Sequence, residues 1–138
     1  MNSPLTEKII GCAFALHKEL GAGFLEKIYE NVFKIVLEES GLVVEQQHPI
    51  PVRFRGCVVG EYFADLLVNK RVVIEIKAVS AIVKEHEMQL VNYLTATGIE
   101  DGLLINFGDS VQVKHKFKTY RQSVFSQSSN PVNPEKIL

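Results

Sequence analysis

Two charged positions stand out because their neighbours are apolar. In Arg71-Val72-Val73-Ile74-Glu75-Ile76-Lys77-Ala78 the branched aliphatic residues read as a central strand. Side chains alternate in a strand, so Glu75 and Lys77 project to one face. The preceding run, Gly60-Glu61-Tyr62-Phe63-Ala64-Asp65-Leu66-Leu67-Val68, places Asp65 where Asp is disfavoured. A charge in a buried strand is costly unless it is paired or bound to a metal ion. One reading makes Glu75 and Lys77 an ion pair on a solvated face. The other makes the three residues a site, because two carboxylates supply the oxygen ligands that a hard divalent cation prefers.

The surrounding chain must position these groups. Residues 4–20 read as a helix, with Ser3 as cap, Pro4 in the first turn, and Leu5, Ile9, Cys12, Ala13, Leu16 and Leu20 on one face. Gly21-Ala22-Gly23 stops it. A second helix is expected from Phe24 to Ser40, with a stripe of Leu25, Ile28, Tyr29, Val32, Phe33, Val36 and Leu37 and a stop at Gly41. The period then changes. Pro49 to Phe54, Cys57 to Val68 and Arg71 to Val79 read as an antiparallel meander, with turns at Arg55-Gly56 and Asn69-Lys70. Residues 81–97 return to helical period and end at Gly98. Leu103 to Phe107 is a short apolar strand. From Val111 to Lys118 apolar and polar residues alternate, which gives a half-exposed strand with one basic face. The order α-α-β-β-β-α-β-β implies an α/β (α+β) mixed central sheet flanked by helices, with the third helix as crossover. A single domain over residues 1–122 is expected, and the Ser-, Asn-, Gln- and Pro-rich residues 123–138 read as a disordered tail.

An Asp, a hairpin and then Glu-x-Lys resembles the signature of the PD-(D/E)XK nuclease superfamily, matched here by Asp65, Glu75 and Lys77. Gly23-Phe24-Leu25-Glu26-Lys27-Ile28-Tyr29 is similar to the Gly-x-x-Glu-x-x-Tyr motif of the GxxExxY family within that superfamily. His86-Glu87-Met88-Gln89-Leu90-Val91-Asn92-Tyr93-Leu94 resembles its post-catalytic helix, the Gln89-x-x-x-Tyr93 spacing is similar to that of RecB-type nucleases, and Leu104-Ile105-Asn106-Phe107-Gly108 resembles its late strand. The resemblance covers residues 5–121 with the motifs in order. Ala64 stands where the superfamily pattern has Pro, a residue that supplies no ligand.

The resemblance implies a restriction-endonuclease-like core and a Mg²⁺- or Mn²⁺-dependent phosphodiester hydrolase acting on nucleic acid, with DNA as the expected substrate. It assigns Asp65, Glu75, the backbone carbonyl of Ile76 and Glu26 to the metal, and Lys77 and Gln89 to the catalytic set. Lys77 would orient or deprotonate the water, or neutralise the pentacovalent phosphate. Glu26 also reads as a surface Glu that favours the helix N-terminus. Tyr29 belongs to the apolar stripe and is as readily structural as functional. His86, Gln89 and Tyr93 share one face of the third helix, either as a solvated stripe or as a supporting wall of the site. His17 reads as a packed histidine at the edge of the core. Lys114, Lys116 and Lys118 would hold phosphates or, equally, protect an edge strand.

Composition bounds the function. The chain has 138 residues, 46% hydrophobic and 22% charged, with a net charge of −1. That is one domain of ordinary globular make-up, and the charge argues against a generic high-affinity nucleic-acid binder. The charge is uneven: residues 80–110 hold one basic and five acidic residues, and residues 111–138 hold five basic and one acidic. No apolar stretch reaches the ~20 residues of a membrane span, no signal segment is seen, and a cytoplasmic location is the expectation. Cys12 and Cys57 form no zinc spacing, and neither do the four histidines. A non-catalytic nucleic-acid or protein interaction module is the competing reading. The intact set of Asp65, Glu75, Lys77 and Gln89 favours the nuclease, and so small a surface would gain from a homodimer or another partner.

One geometric condition follows. A two-residue turn at Asn69-Lys70 pairs Val68 with Arg71 and sends Asp65 and Glu75 to opposite faces. A metal site needs a three-residue loop that pairs Val68 with Val72, or a bulge.

Overall fold

The computed structural model describes residues 3–120. Helix α1 (Pro4–Leu20) starts where Ser3 and Thr6 cap each other, the Thr6 N–H donating to Ser3 Oγ and the Ser3 N–H to Thr6 Oγ1. Helix α2 (Glu26–Glu39) begins two residues later than expected and has no side-chain cap. It is followed by strands β1 (Val44–Phe54), β2 (Cys57–Val68) and β3 (Val72–Lys77), helix α3 (Lys84–Thr97), and strands β4 (Asp101–Phe107) and β5 (Val111–Phe117).

The five strands form one sheet in the order β1-β2-β3-β4-β5. Only β3 and β4 are parallel, and α3 is the crossover between them. Helices α1 and α2 cover one face, with Ile9, Leu16, Tyr29, Phe33 and Leu37 packed on Leu66, Ile74, Ile76, Ile105 and Phe107. Helix α3 covers the other, with Leu90, Tyr93 and Leu94 against Leu67, Val73 and Leu104. The expected α/β class, element order and crossover all hold.

The differences have physical causes. Strand β1 begins at Val44, five residues before the expected Pro49. It is an edge strand, where polar residues and Pro are tolerated because one side of the backbone needs no ladder partner. Helix α3 begins at Lys84 rather than residue 81, because His86 Nδ1 accepts the Val83 N–H and makes Val83 the cap. In α2 the expected apolar stripe fails at its first turn: Leu25 and Ile28 are exposed and Glu30 is buried. The tail expected from residue 123 lies outside the described residues. Among the described residues no helix is long and apolar enough to cross a membrane.

Candidate active site

The β2–β3 hairpin sets the register. Its loop is Asn69-Lys70-Arg71, with Val68 opposite Val72, Leu67 opposite Val73 and Leu66 opposite Ile74. Asn69 and Lys70 both adopt positive φ, 52° and 55°. Asn69 is held by the residue just before β1, its Oδ1 accepting the Val43 N–H at 2.8 Å. The three-residue loop is the one that the site requires. It puts Glu75 on the α3 side of the sheet with Val73, while Ile74 and Ile76 pack under α1 and α2.

Regular pairing stops at Leu66 and Ile74. Beyond it, side chains replace the ladder. The Asp65 N–H donates to Glu75 Oε2 at 2.9 Å, and the Ile76 N–H donates to Asp65 Oδ2 at 2.8 Å. The alternation of β2 also slips here, since Ala64 and Leu67 both pack in the α3-side cluster although a regular strand would send them to opposite faces. Opposite the slip, Gln47 of β1 has φ 53°. The strands thus part at Asp65, and the two carboxylates meet in the gap.

The electrostatics are those of crowded acids. Burial pushes the Glu75 carboxyl up to about 9, and the neighbouring Asp65 charge adds to it; the Asp65 N–H and Lys77 oppose the rise. Burial likewise pushes Asp65 up to about 6, with Glu30 and Glu26 adding to it and the Ile76 N–H and Gln47 opposing. Glu75 is 5% exposed. Glu75 and Lys77 form no ion pair, although Lys77 is close enough to favour the charged carboxylate. The solvated-pair reading therefore does not describe them.

The other expected residues divide. Tyr93 faces the carboxylates: burial raises its hydroxyl to about 12, with Glu75 and Asp65 contributing. Gln89 Nε2 donates to the Tyr93 hydroxyl at 2.8 Å. His86 is spent at the start of α3, where its Nδ1 accepts the N–H of the cap residue Val83. Glu26 is the first residue of α2 and is exposed, near enough for its charge to act on both carboxylates. Among the described residues no group of three or more His, Cys, Asp or Glu side chains is gathered to hold a metal, so the expected three-carboxylate set is not assembled. The groups held in direct contact are Asp65, Glu75 and the Ile76 backbone.

Tyr29 is structural in its contacts. Its hydroxyl donates to the Gly21 carbonyl at 2.7 Å and accepts the Phe24 N–H at 3.3 Å, and its ring stacks on Phe107 with centroids 4.9 Å apart. It pins the turn through Gly23, which has φ 99°, and so fixes where α2 starts and Glu26 stands. His17 donates to or accepts from nothing in the site; its Nε2 lies 2.8 Å from the Gly108 carbonyl and its ring stacks on Phe107. In β5, Lys116 is paired with Glu87 at 2.6 Å and Lys118 lies over the Tyr120 ring. Lys114 is exposed.

Glu30, Gln46 and Gln47 escaped the sequence reading. Glu30 is 3% exposed, and its Oε2 accepts from Lys27 Nζ (3.0 Å), Gln46 Nε2 (2.6 Å) and Gln47 Nε2 (3.0 Å). The Gln47 amide also donates to Asp65 Oδ1 at 3.2 Å and so bridges the two acids. The available signal was the spacing of Glu26 and Glu30, four apart and hence on one helix face.

Comparisons with known proteins bear on the fold and the family. No curated protein matches the chain. A solved structure described as the crystal structure of SSO0001 is 23% identical, with a TM-score of 0.54 over 69% of this chain. The chain spans about half the length of that protein, 50%, and the likeness bears on the fold alone. A family model described as the PD-(D/E)XK nuclease superfamily matches residues 3–120. The five-stranded mixed sheet with its three helices is consistent with a restriction-endonuclease-like fold, and the chain belongs to the PD-(D/E)XK nuclease superfamily.

Proposed function

We propose that the protein is a divalent-metal-dependent nuclease of the GxxExxY branch, acting on DNA in the cytoplasm. The observation that carries this reading is the meeting of Asp65 and Glu75 across the parted strands, where Glu75 accepts the Asp65 N–H at 2.9 Å and Asp65 accepts the Ile76 N–H at 2.8 Å. Two acids packed this closely, both pushed up by burial, Glu75 also by the Asp65 charge and Asp65 by those of Glu30 and Glu26, form a site that a cation would relieve. Asp65, Glu75 and the Ile76 carbonyl would hold Mg²⁺ or Mn²⁺, with Glu26 reaching it through water. Bound there, the ion supplies positive charge to the phosphate and a more acidic water.

This chain's own groups do the rest. Lys77 stands on the same strand face as Glu75, where its ammonium can orient the attacking water or neutralise the phosphate oxygens. Gln89 and Tyr93 close the α3 side and fix the polar lining. Water attacks phosphorus and gives up a proton to solvent, the bond to the leaving sugar oxygen breaks, and that oxygen takes a proton from a second water. Lys114, Lys116 and Lys118 supply additional phosphate contacts.

The test is cleavage of labelled DNA and RNA in Mg²⁺ or Mn²⁺, with chelator as control. DNA should be cut, and Asp65→Asn and Lys77→Met should each lower the rate by roughly a hundredfold or more. Equal activity of wild type and Asp65→Asn defeats the assignment. Metal-dependent cutting of RNA alone corrects the substrate.

A further inference from the structure

A groove of about 560 Å³ runs between the outer half of β1 and the exposed side of α3. That is within the size range of small-ligand sites. Val52 and Arg53 of β1, Tyr62 of β2 and Asn92 of α3 line it. Successive residues of a regular strand point to opposite faces. Here the β1–β2 register shifts between Val52 and Arg53 and leaves Val59 of β2 unpaired, so the pairing is irregular where both residues line the groove.

The lining has the chemistry of one nucleotide's complement. Arg53 is exposed and has no ion-pair partner among the described residues. Tyr62 is 42% exposed, so part of its ring is open to a flat ligand. Asn92 is exposed and offers an amide, which can both donate to and accept from a base edge. Tyr62 connects the groove to the residue that faces the carboxylates. The rings of Tyr62 and Tyr93 are in contact, with centroids 5.1 Å apart, and the Tyr93 hydroxyl feels Glu75 and Asp65.

We infer that this groove is a nucleotide subsite that takes one unpaired base and its phosphate, from a single-stranded stretch whose neighbouring phosphate lies at Asp65 and Glu75. The inference rests on the nuclease reading and adds the substrate class. A paired base inside a duplex presents no free face to Tyr62, whereas an unpaired base stacks on it. The charge agrees. A duplex-tracking surface neutralises several phosphates with clustered cations, but this chain has a net charge of −1 and the groove one arginine.

Binding can be separated from cleavage. Fluorescence anisotropy of the full chain in EDTA, with labelled single-stranded DNA, single-stranded RNA and a blunt DNA duplex, reads affinity without turnover. Either single strand should bind more tightly than the duplex. Tyr62→Ala and Arg53→Ala should each weaken single-strand binding by roughly tenfold, the loss expected from one stacking ring or one phosphate contact, and Tyr62→Phe should retain it. Arg53 is exposed, so its variant reports on the groove even if Tyr62→Ala disturbs the Tyr93 contact. Duplex binding as tight as single-strand binding, or wild-type affinity in both Arg53→Ala and Tyr62→Ala, overturns the subsite. Cleavage by wild type with unchanged binding in both variants overturns the subsite alone. Tyr62-dependent binding without any metal-dependent cleavage supports the subsite and overturns the nuclease reading.

Discussion

The Glu75 carboxyl accepts the Asp65 N–H, the Asp65 carboxyl accepts the Ile76 N–H, and each acid resists ionisation. The sign of the resulting pH dependence is fixed. Both folded values, about 6 and about 9, lie above the ordinary 3.8 and 4.5, so the fold binds more protons than the unfolded chain between them. Stability of the metal-free protein is greatest below the ordinary values and falls as pH rises towards 9. Melting temperature measured in chelator should fall accordingly from pH 5 to pH 9, and Glu75→Gln should flatten most of that slope. A second expectation concerns Glu30. Its Oε2 accepts from the half-buried Gln46 and the exposed Gln47 amides, and Glu30→Ala should cost about 1 kcal/mol in urea unfolding because these hydrogen bonds are lost and only Gln47 can turn freely to water. Asp65 was legible in the sequence because an acid interrupting an apolar strand violates a strong preference. Glu30 was not, because a Glu on a helix is ordinarily solvated, and only the packing of α2 against β1 buries it.

At the scale of elements, the helices and the inner strands were legible from periodicity, and their ends were less so. The cap of α3 depends on a histidine ring nitrogen, and β1 extends through Glu45, Gln46, Gln47 and His48, whose polarity hides an edge strand. The register of β2 on β3 was legible only as a condition, since loop length decides it and Asn69-Lys70 reads equally well as a two-residue turn. One close approach holds α3 on the sheet. A Cβ added at Gly102 of β4 would lie 2.9 Å from Leu90 Cδ1, and Leu90 is fully buried. Gly102→Val should therefore destabilise by about 1–3 kcal/mol through overpacking, read as a lower denaturation midpoint with unchanged m-value.

For the whole molecule, binding and folding are linked. A cation held only by the native Asp65–Glu75 pair stabilises the fold by about 2.7 kcal/mol at a hundredfold excess over its Kd. Mg²⁺ or Mn²⁺ should raise the melting temperature of wild type and leave Glu75→Gln unmoved; an equal rise in both would place the ion elsewhere. The basic strand is less free than its sequence implies, because Lys116 is tied to Glu87 and Lys118 to Tyr120. Reversing Lys114, Lys116 and Lys118 to Glu should weaken nucleic-acid binding and shallow its salt dependence, read as the slope of affinity against salt. The loop Asn69-Lys70-Arg71 bears on how such a chain can diverge. Strand side chains repeat every two residues, so with the three-residue loop kept, one residue inserted into or removed from β3 before Glu75 turns Glu75 and Lys77 towards α1 and α2, away from Asp65. A residue added to each strand of the hairpin preserves the pairing. The strand segments between the two acids therefore tolerate length changes in pairs and reject single ones, a rule of parity that a library of strand insertions selected for cleavage would display.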